Sequence, residues 1–447
     1  MNYINQLKKF KAYMSKAERY IWENAEVGYK EYKTDAYMKK AFRDLGYEIK
    51  EAGEITGFSA ELDTGREGPT FALLAELDAL YCASHPETNK ETGAVHACGH
   101  NIQCASLLGV AAVLKEEGAL DKLCGKIRFI IVPAEEGVEI GFRSQLVKEG
   151  KITFTSGKPE MIKRGFFDGV DIAFMVHIEN LTESGAAFFV EKGCNGNIRK
   201  RTVIRGKASH AGENPAGGVN ALNAASLAIS ATNYLRETFK EDDVVRFHSI
   251  ITNGGSSVNV VPDEVVIESY VRASTVSALV NANERINRAI ACAVASIGAD
   301  VEITDLPGSY PLHNDVNLLK VTEEAFKELS GDRGYILNDC WKGSCTDMGD
   351  VSTIVPSVHA YVGGLEGMLH GKDYVVSNPE ETCYDSASLQ LTVTEKLLSN
   401  GAKRAYEVIN GYDSEFNGIA DYVSQKEKIN QTISPIKISE CGVDVEI

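Results

Sequence analysis

The 447-residue sequence has no stretch of about 18 consecutive apolar residues, so no membrane-spanning helix is expected. It begins Met1-Asn2-Tyr3-Ile4 and runs into a charged helical pattern, so no apolar leader is expected either. Basic residues are in the minority. The 46 Lys and Arg against 63 Asp and Glu leave a formal charge of −17, which argues against nucleic acid or an anionic membrane surface as partner. The ten cysteines follow no repeat and no short disulfide framework; with no export signal, reduced thiols in the cytoplasm are expected. Low-complexity segments and internal repeats are also missing, which removes disordered and repeat architectures. What remains is an ordinary globular composition, 44% hydrophobic, in a chain too long for one core.

Periodicity then orders the chain. Residues 3–46 read as two helices, the second covering 34–45 and closed by Gly46. Thr70–Glu76 (T-F-A-L-L-A-E) is almost wholly apolar and reads as a buried strand, as do Lys126–Val132 (K-I-R-F-I-I-V) and residues 170–176 (V-D-I-A-F-M-V). A polar loop, 81–94, precedes an apolar helix beginning near Asn101. Strands alternating with helices predict an α/β domain on a parallel-rich sheet, with ligands gathered beyond the carboxyl ends of its strands. Asp78, Glu135, Glu136 and His177 all fall at such ends. From residue 185 the pattern changes: strands at 186–192 and 199–206, a helix at 217–238, strands at 244–252 and 264–273, a helix at 277–297, and a strand at 300–306. This predicts an inserted α+β domain of ferredoxin-like type over 185–306, between catalytic segments 1–184 and 307–410. In the second segment, helices are expected at 315–329 and 379–408 and a strand at 358–362. Residues 411–447 stay unassigned.

The chemistry centres on Val95–His100, V-H-A-C-G-H. Gly99 lets the backbone turn tightly, so a thiolate at Cys98 and an imidazole at His100 can aim at one point. With Glu136, His177 and His370 (in G-M-L-H-G) they make five candidate metal ligands. One tetrahedral zinc takes four, or three plus water, so five fit two metals sharing a bridging water. Glu135 and Glu136 follow a mostly apolar seven-residue strand, a proline and an alanine. Consecutive side chains at a strand end face opposite ways, so one can coordinate while the other meets the reacting water as a general base.

H-A-C-G-H-N, P-A-E-E-G, G-K-A-S-H-A-G-E-N-P with N-A-L-N-A-A, G-G-S-S-V-N-V-V-P-D and T-D-M-G-D occur in this order. Together they resemble the aminoacylase/carboxypeptidase-type metallopeptidases, in the amidohydrolase branch that includes aminobenzoyl-glutamate hydrolase and the indole-acetyl amino acid hydrolases. The resemblance runs from about Glu26 to about Leu398. It implies Cys98, His100, Glu136, His177 and His370 as ligands of two divalent metals (manganese, zinc or cobalt), with Glu135 as general base and Asp78 supporting the metal shell. It implies further that His210 reaches the partner subunit's site in a homodimer, through the inserted domain acting as lid and dimerisation module. Asn259 and Arg272 match positions that bind a substrate carboxylate. The implied reaction is hydrolysis of the amide of an N-acyl amino acid or dipeptide.

Departures from the branch pattern stand at Asn101 and Gln103, where C-G-H-D-x-H would have an acid and a second histidine. Tyr81 replaces a proline after D-A-L, and the loop to Val95 is this chain's own. His96 is expected beside the metal ligands, whereas His85, His248, His313 and His359 receive no role. Two other readings are carried forward: a thiol amidase with Cys98 as nucleophile, and a metal- or ligand-binding relative without hydrolysis.

Overall fold

Three strands are buried at every position, Thr70–Glu76, Ile172–Ile178 and Ser357–Val362, and Lys126–Val132 is buried at all but two. Strands apolar on both faces belong in the middle of a helix-covered parallel sheet, and there the computed structural model of the protein places them. The structure describes residues 2–439 and 442–445. Thr70–Glu76 lies between Lys126–Val132 and Ile172–Ile178, parallel to both, with Leu73 opposite Phe129 on one side and Phe174 on the other. Ile172–Ile178 pairs in parallel with Ser357–Val362, setting His177 opposite Tyr361. The chain therefore leaves Thr70–Glu76 for one neighbour and later returns to the other. Such a reversal opens a crevice at the carboxyl ends of the strands.

The flanks of this sheet are antiparallel. Phe58–Asp63, which has no clear signal in the sequence, pairs with Lys126–Val132, and Phe188–Cys194 pairs with Ser357–Val362. The strand expected at 186–192 in the inserted segment thus belongs to the large sheet. The strand expected at 170–176 runs two residues later, so His177 lies within it instead of following it. Leu80–Tyr81 and Ala94–Val95 pair with each other and close the loop between them.

His100–Leu114 is buried at all fifteen positions, as a helix apolar on every side must be. It packs against Lys11–Glu23 and Pro379–Leu398. At Gly109 an added Cβ would stand 2.2 Å from Met14 Sδ, so glycine permits that crossing. The helix expected over 379–408 is two helices, Pro379–Leu398 and Lys403–Asn410, because Asn400, Gly401 and Ala402 all take positive φ. These elements form one unit, Met1–Gly193 with His313–Trp341 and Asp350–Ile419.

The second unit comprises Cys194–Leu312, Lys342–Gly349 and the chain from Ala420. Its strands lie in the order Arg246–Asn253, Glu264–Ala273, Gly196–Arg205, Asp300–Pro307, antiparallel throughout, with Ala221–Tyr234 and Val276–Ser296 packed on them. Strand–helix–strand–strand–helix–strand in this order is the ferredoxin-like arrangement. Residues beyond 411, unplaced by the sequence, add a helix, Ile419–Ile429, and a strand, Gln431–Ser439, which covers the Asp300–Pro307 edge. Among the described residues no helix is long and apolar enough to cross a membrane.

Candidate metal centre

Gly99 caps the His100–Leu114 helix with φ 82°, and a Cβ there would fall 2.3 Å from Ile178 Cγ2. The residue at this turn must therefore be glycine, both for its dihedral angle and for space. The turn aims Cys98 at His177 and His370, whose Nε2 atoms each lie 3.4 Å from its Sγ. His177 Nδ1 is 2.8 Å from the Ile178 carbonyl, a contact that fixes the ring with Nε2 towards the cysteine. His370, itself at φ 61°, is held by a 2.9 Å bond from its N–H to the Ala97 carbonyl. Its Nε2 also lies 3.2 Å from Glu136 Oε1. Three expected ligands thus meet at one sulfur, and the fourth is beside one of them.

His100 is fully buried. Its Nδ1 is 2.7 Å from the Asp78 carbonyl oxygen and 3.3 Å from Asp78 Oδ1, so Asp78 fixes the orientation of this ring. The other Asp78 oxygen accepts the Glu136 N–H at 2.8 Å. His100 Nε2 stands 3.0 Å from Glu76 Oε2. Cys98, His100 and His177 offer donor atoms within 4.8 Å of one another; so do Cys98, Glu136 and His370, and so do Glu76, His100 and Glu135. His100 Nε2, Glu136 Oε1 and Asp78 Oδ1 are buried yet form no well-angled hydrogen bond with any described group. The grouped donor atoms of Cys98, His100, His177, Glu136 and His370 lie close together, two of them without a hydrogen bond, and have the arrangement of ligands around a cation. The donor set, one thiol, three imidazoles and carboxylates, fits a divalent metal.

The electrostatics agree. Burial, reinforced by the Glu136 carboxylate, pushes the Cys98 thiol well above its ordinary value, so its thiolate forms only with a cation at hand. Burial opposes charge on His100, but Glu76, Cys98 and Asp78 together outweigh it and raise the imidazole's pKa. Glu136 is likewise penalised by burial, but His370 brings it below the usual carboxylate range.

Sequence reasoning missed Glu76 and its partners. Glu76 ends a strand whose apolar run was legible, yet only Asp78 was marked there. Burial would raise its pKa; Lys158, also buried, pairs with it and, with the His100 and His177 imidazoles, brings it well below the ordinary value. Gln103 completes the set, donating from Nε2 to Glu76 Oε2 at 2.8 Å and accepting the Glu76 N–H at 3.2 Å. Asn101 donates to Glu18 Oε1 at 2.8 Å, so an acid from another helix stands beside this position. Both departures from the branch pattern are therefore built into the core. His96 is fully buried, and burial pushes its pKa down to about 3. His359 lies with its ring 5.5 Å from that of His177, a neighbour that sequence reading left without a role.

The second unit carries the other three expected residues. His210 is exposed, and its Nδ1 accepts the N–H groups of Gly212 (3.3 Å) and Glu213 (2.9 Å). In the neutral ring the proton is therefore on Nε2. Asn259 is exposed nearby, its carbonyl accepting the Ala211 N–H at 2.9 Å. Arg272 is half-buried, with Nε 3.2 Å from His248 Nε2 and Nη1 3.3 Å from both the Gly343 carbonyl and Cys345 Sγ.

Fold and site together define a metal-dependent hydrolase of the peptidase and amidohydrolase kind. The sequence profile of Peptidase family M20/M25/M40 matches residues 72–395, and the chain belongs to that family. It is 30% identical to thermostable carboxypeptidase 2 of Saccharolobus solfataricus over 89% of this chain and 95% of that one. With the Xaa-Arg dipeptidase of Mus musculus it shares 28% identity, covering 85% of this chain and 83% of the relative. IAA-amino acid hydrolase ILR1-like 2 of Arabidopsis thaliana is 30% identical over 72% of this chain and 71% of its own. Among solved structures, a dinuclear metal binding peptidase of Bacillus subtilis superposes with TM-score 0.67 at 23% identity, covering 88% of this chain and 99% of that one.

Proposed function

We propose that this protein hydrolyses the amide bond of an N-acyl amino acid or dipeptide at a two-metal centre held by Cys98, His100, Glu136, His177 and His370. The observation that carries the reading is the meeting of two imidazoles at Cys98 Sγ, with the Glu135–Glu136 turn alongside. Divalent metal bound there would polarise the substrate carbonyl and acidify a water. Glu135 takes the proton of that water and returns it to the leaving nitrogen. Asp78 keeps His100 in its ligating orientation, and Glu136 joins the ligand set. His210, with its proton on Nε2, donates to the developing oxyanion from the partner subunit of a homodimer. Asn259 and Arg272 hold the substrate carboxylate by charge-assisted hydrogen bonds. A carboxypeptidase, a dipeptidase and an amino acid conjugate hydrolase among the relatives support this substrate class. Manganese, zinc and cobalt all suit the donors, and the working compartment is the cytoplasm.

The thiol amidase reading loses support, since burial and Glu136 push the Cys98 thiol up, opposite to what an activated nucleophile needs. A binding protein without turnover is tested together with the main reading. Purified protein is assayed for metal, then against a panel of N-acyl amino acids and dipeptides. Glu135→Gln should retain metal while the turnover number falls roughly 100-fold or more. Bound metal with no turnover across the panel would favour the binding reading; a Glu135→Gln protein that loses metal would reverse the two glutamates.

A further inference from the structure

The turn that carries Glu135 is held at both of its flanking residues by side chains without an assigned role. Ala134 has φ 54°, a left-handed conformation that a residue with a Cβ adopts only when its surroundings impose it. Its N–H donates to Glu31 Oε1 at 2.8 Å. Its carbonyl accepts from Arg143 Nη1 at 3.3 Å and from the Gly157 N–H at 3.1 Å. Two residues on, the Glu136 carbonyl accepts from Nη2 of the same guanidinium, and the Glu136 N–H is held by Asp78. One planar fork therefore spans the carbonyls on either side of Glu135, while two carboxyl groups take the N–H groups at the same positions.

The clamp is itself anchored. Arg143 is fully buried and donates to the Thr155 carbonyl at 2.7 Å, with Tyr29 5.6 Å from its centre. Glu31 is fully buried and receives the Thr56 hydroxyl at 2.6 Å on its other oxygen. Gly28 leaves it room: a Cβ there would fall 2.3 Å from Arg143 Nη2 and 2.7 Å from Ala134 Cα. A buried arginine whose fork is spent on backbone carbonyls is costly unless the geometry it imposes is needed.

We propose that Arg143 and Glu31 are positioning residues for Glu135: they hold the strained Ala134–Glu136 turn so that the Glu135 carboxylate faces the reacting water. This rests on the reading of Glu135 as general base. Four of the five proposed metal ligands, Cys98, His100, His177 and His370, lie on other segments, and Glu136, which shares the turn, keeps its N–H bond to Asp78 when Arg143 is replaced, so loosening the clamp acts on the base before it acts on the metals.

The test uses the full-length, metal-loaded protein and a substrate taken from the amide panel. Arg143→Met should lower kcat about 10- to 100-fold with little change in KM. Metal stoichiometry and the thiolate-to-cobalt absorption of the cobalt-substituted protein should stay as in the wild type. Adding Ala134→Gly should recover part of the lost kcat, because glycine takes φ near 54° without being forced. A wild-type kcat in Arg143→Met, metal lost in step with rate, or no recovery in the double variant would each overturn the proposal. If Arg143→Met does not fold, Arg143→Lys is read by the same measures, since one ammonium cannot span both carbonyls. Glu135→Gln separates the two ideas. If it keeps full activity the base reading fails; if it is inactive while the Arg143 variant turns over normally, only the clamp fails.

Discussion

Replacing Lys158 with methionine tests the buried pair behind His100. The two side chains are almost the same length, so little volume is lost; what disappears is the ammonium paired with Glu76. Side-chain exposure is 0% for Lys158 and 1% for Glu76, so water cannot replace it. The Gln103 amide and the His100 imidazole, 3.0 Å from Glu76 Oε2, remain, but they offset only part of the lost charge. Removing one member of a buried ion pair costs about 3–5 kcal/mol, and this site belongs at the lower end because Glu76 keeps its contact with His100. The sign with pH follows from Glu76. Its pKa in the folded protein lies well below the ordinary 4.5, Lys158 together with the His100 and His177 imidazoles outweighing the upward push of burial. In the wild type its contribution is therefore present above about pH 4.5 and lost as pH falls through the folded value. Without the ammonium, burial raises that pKa, and protonation relieves the strain in acid. The wild type should then exceed the variant most near neutral pH, and the gap should narrow below about pH 5. Both tryptophans, Trp22 and Trp341, lie in the first unit, so their fluorescence during urea unfolding of the metal-free protein reports on the right part of the chain. A midpoint shift on the order of 1 M is expected. A loss under about 1 kcal/mol at pH 7, or an equal loss at pH 4 and pH 7, would refute the reasoning. Lys158→Met with Glu76→Gln should be more stable than Lys158→Met alone, since no unpaired charge is left.

Cys98→Ala removes the atom at which His177 and His370 meet, so bound metal and hydrolysis should fall together; chelation of the wild type should abolish turnover and added divalent metal restore it. Full activity in protein shown to be metal-free would contradict this. His210→Ala should keep its metal but lose rate. Mixed with Glu135→Gln under subunit exchange, it should recover up to about half the wild-type activity per heterodimer, because one site then pairs a sound Glu135 with a sound His210 from the other chain. No recovery despite measured exchange would remove His210 from the partner's site. Glu31, pushed up to about 8 by burial and the Asp78 charge, favours its protonated form when folded. Its stabilising contribution is thus complete below about pH 4.5 and lost as pH rises through about 8. Glu31→Gln should flatten that decline in metal-free protein, and an unchanged slope of stability against pH would count against it.

Much of the centre was legible because its determinants are local. Five apolar residues of seven in Thr70–Glu76 and again in Lys126–Val132 mark central strands, and the residues just after such strands lie at the ligand-binding edge. Cys-Gly-His carries its geometry in one glycine. The inserted unit was legible as a succession of strands and helices, even though its first expected strand, Phe188–Cys194, joined the large sheet instead. Edge placement of that kind depends on which strand is free to pair, and residue pattern does not encode it. The same holds for the missed strand Phe58–Asp63, and for Gln431–Ser439, which closes an edge from a segment with no evident pattern.

The sequence by itself determined which residue types can bind metal and which strand ends carry them. Only the tertiary structure decided the partners: Glu76 with Lys158, 82 residues apart, Asn101 with Glu18, 83 apart, and Cys98 with His370, 272 apart. The reason is physical. A secondary-structure period repeats every two or 3.6 residues and reports only on a residue's own element. A buried charge finds its counterpart across elements, where strand order and helix crossing bring distant segments together, and those are set by how the apolar faces close on one another.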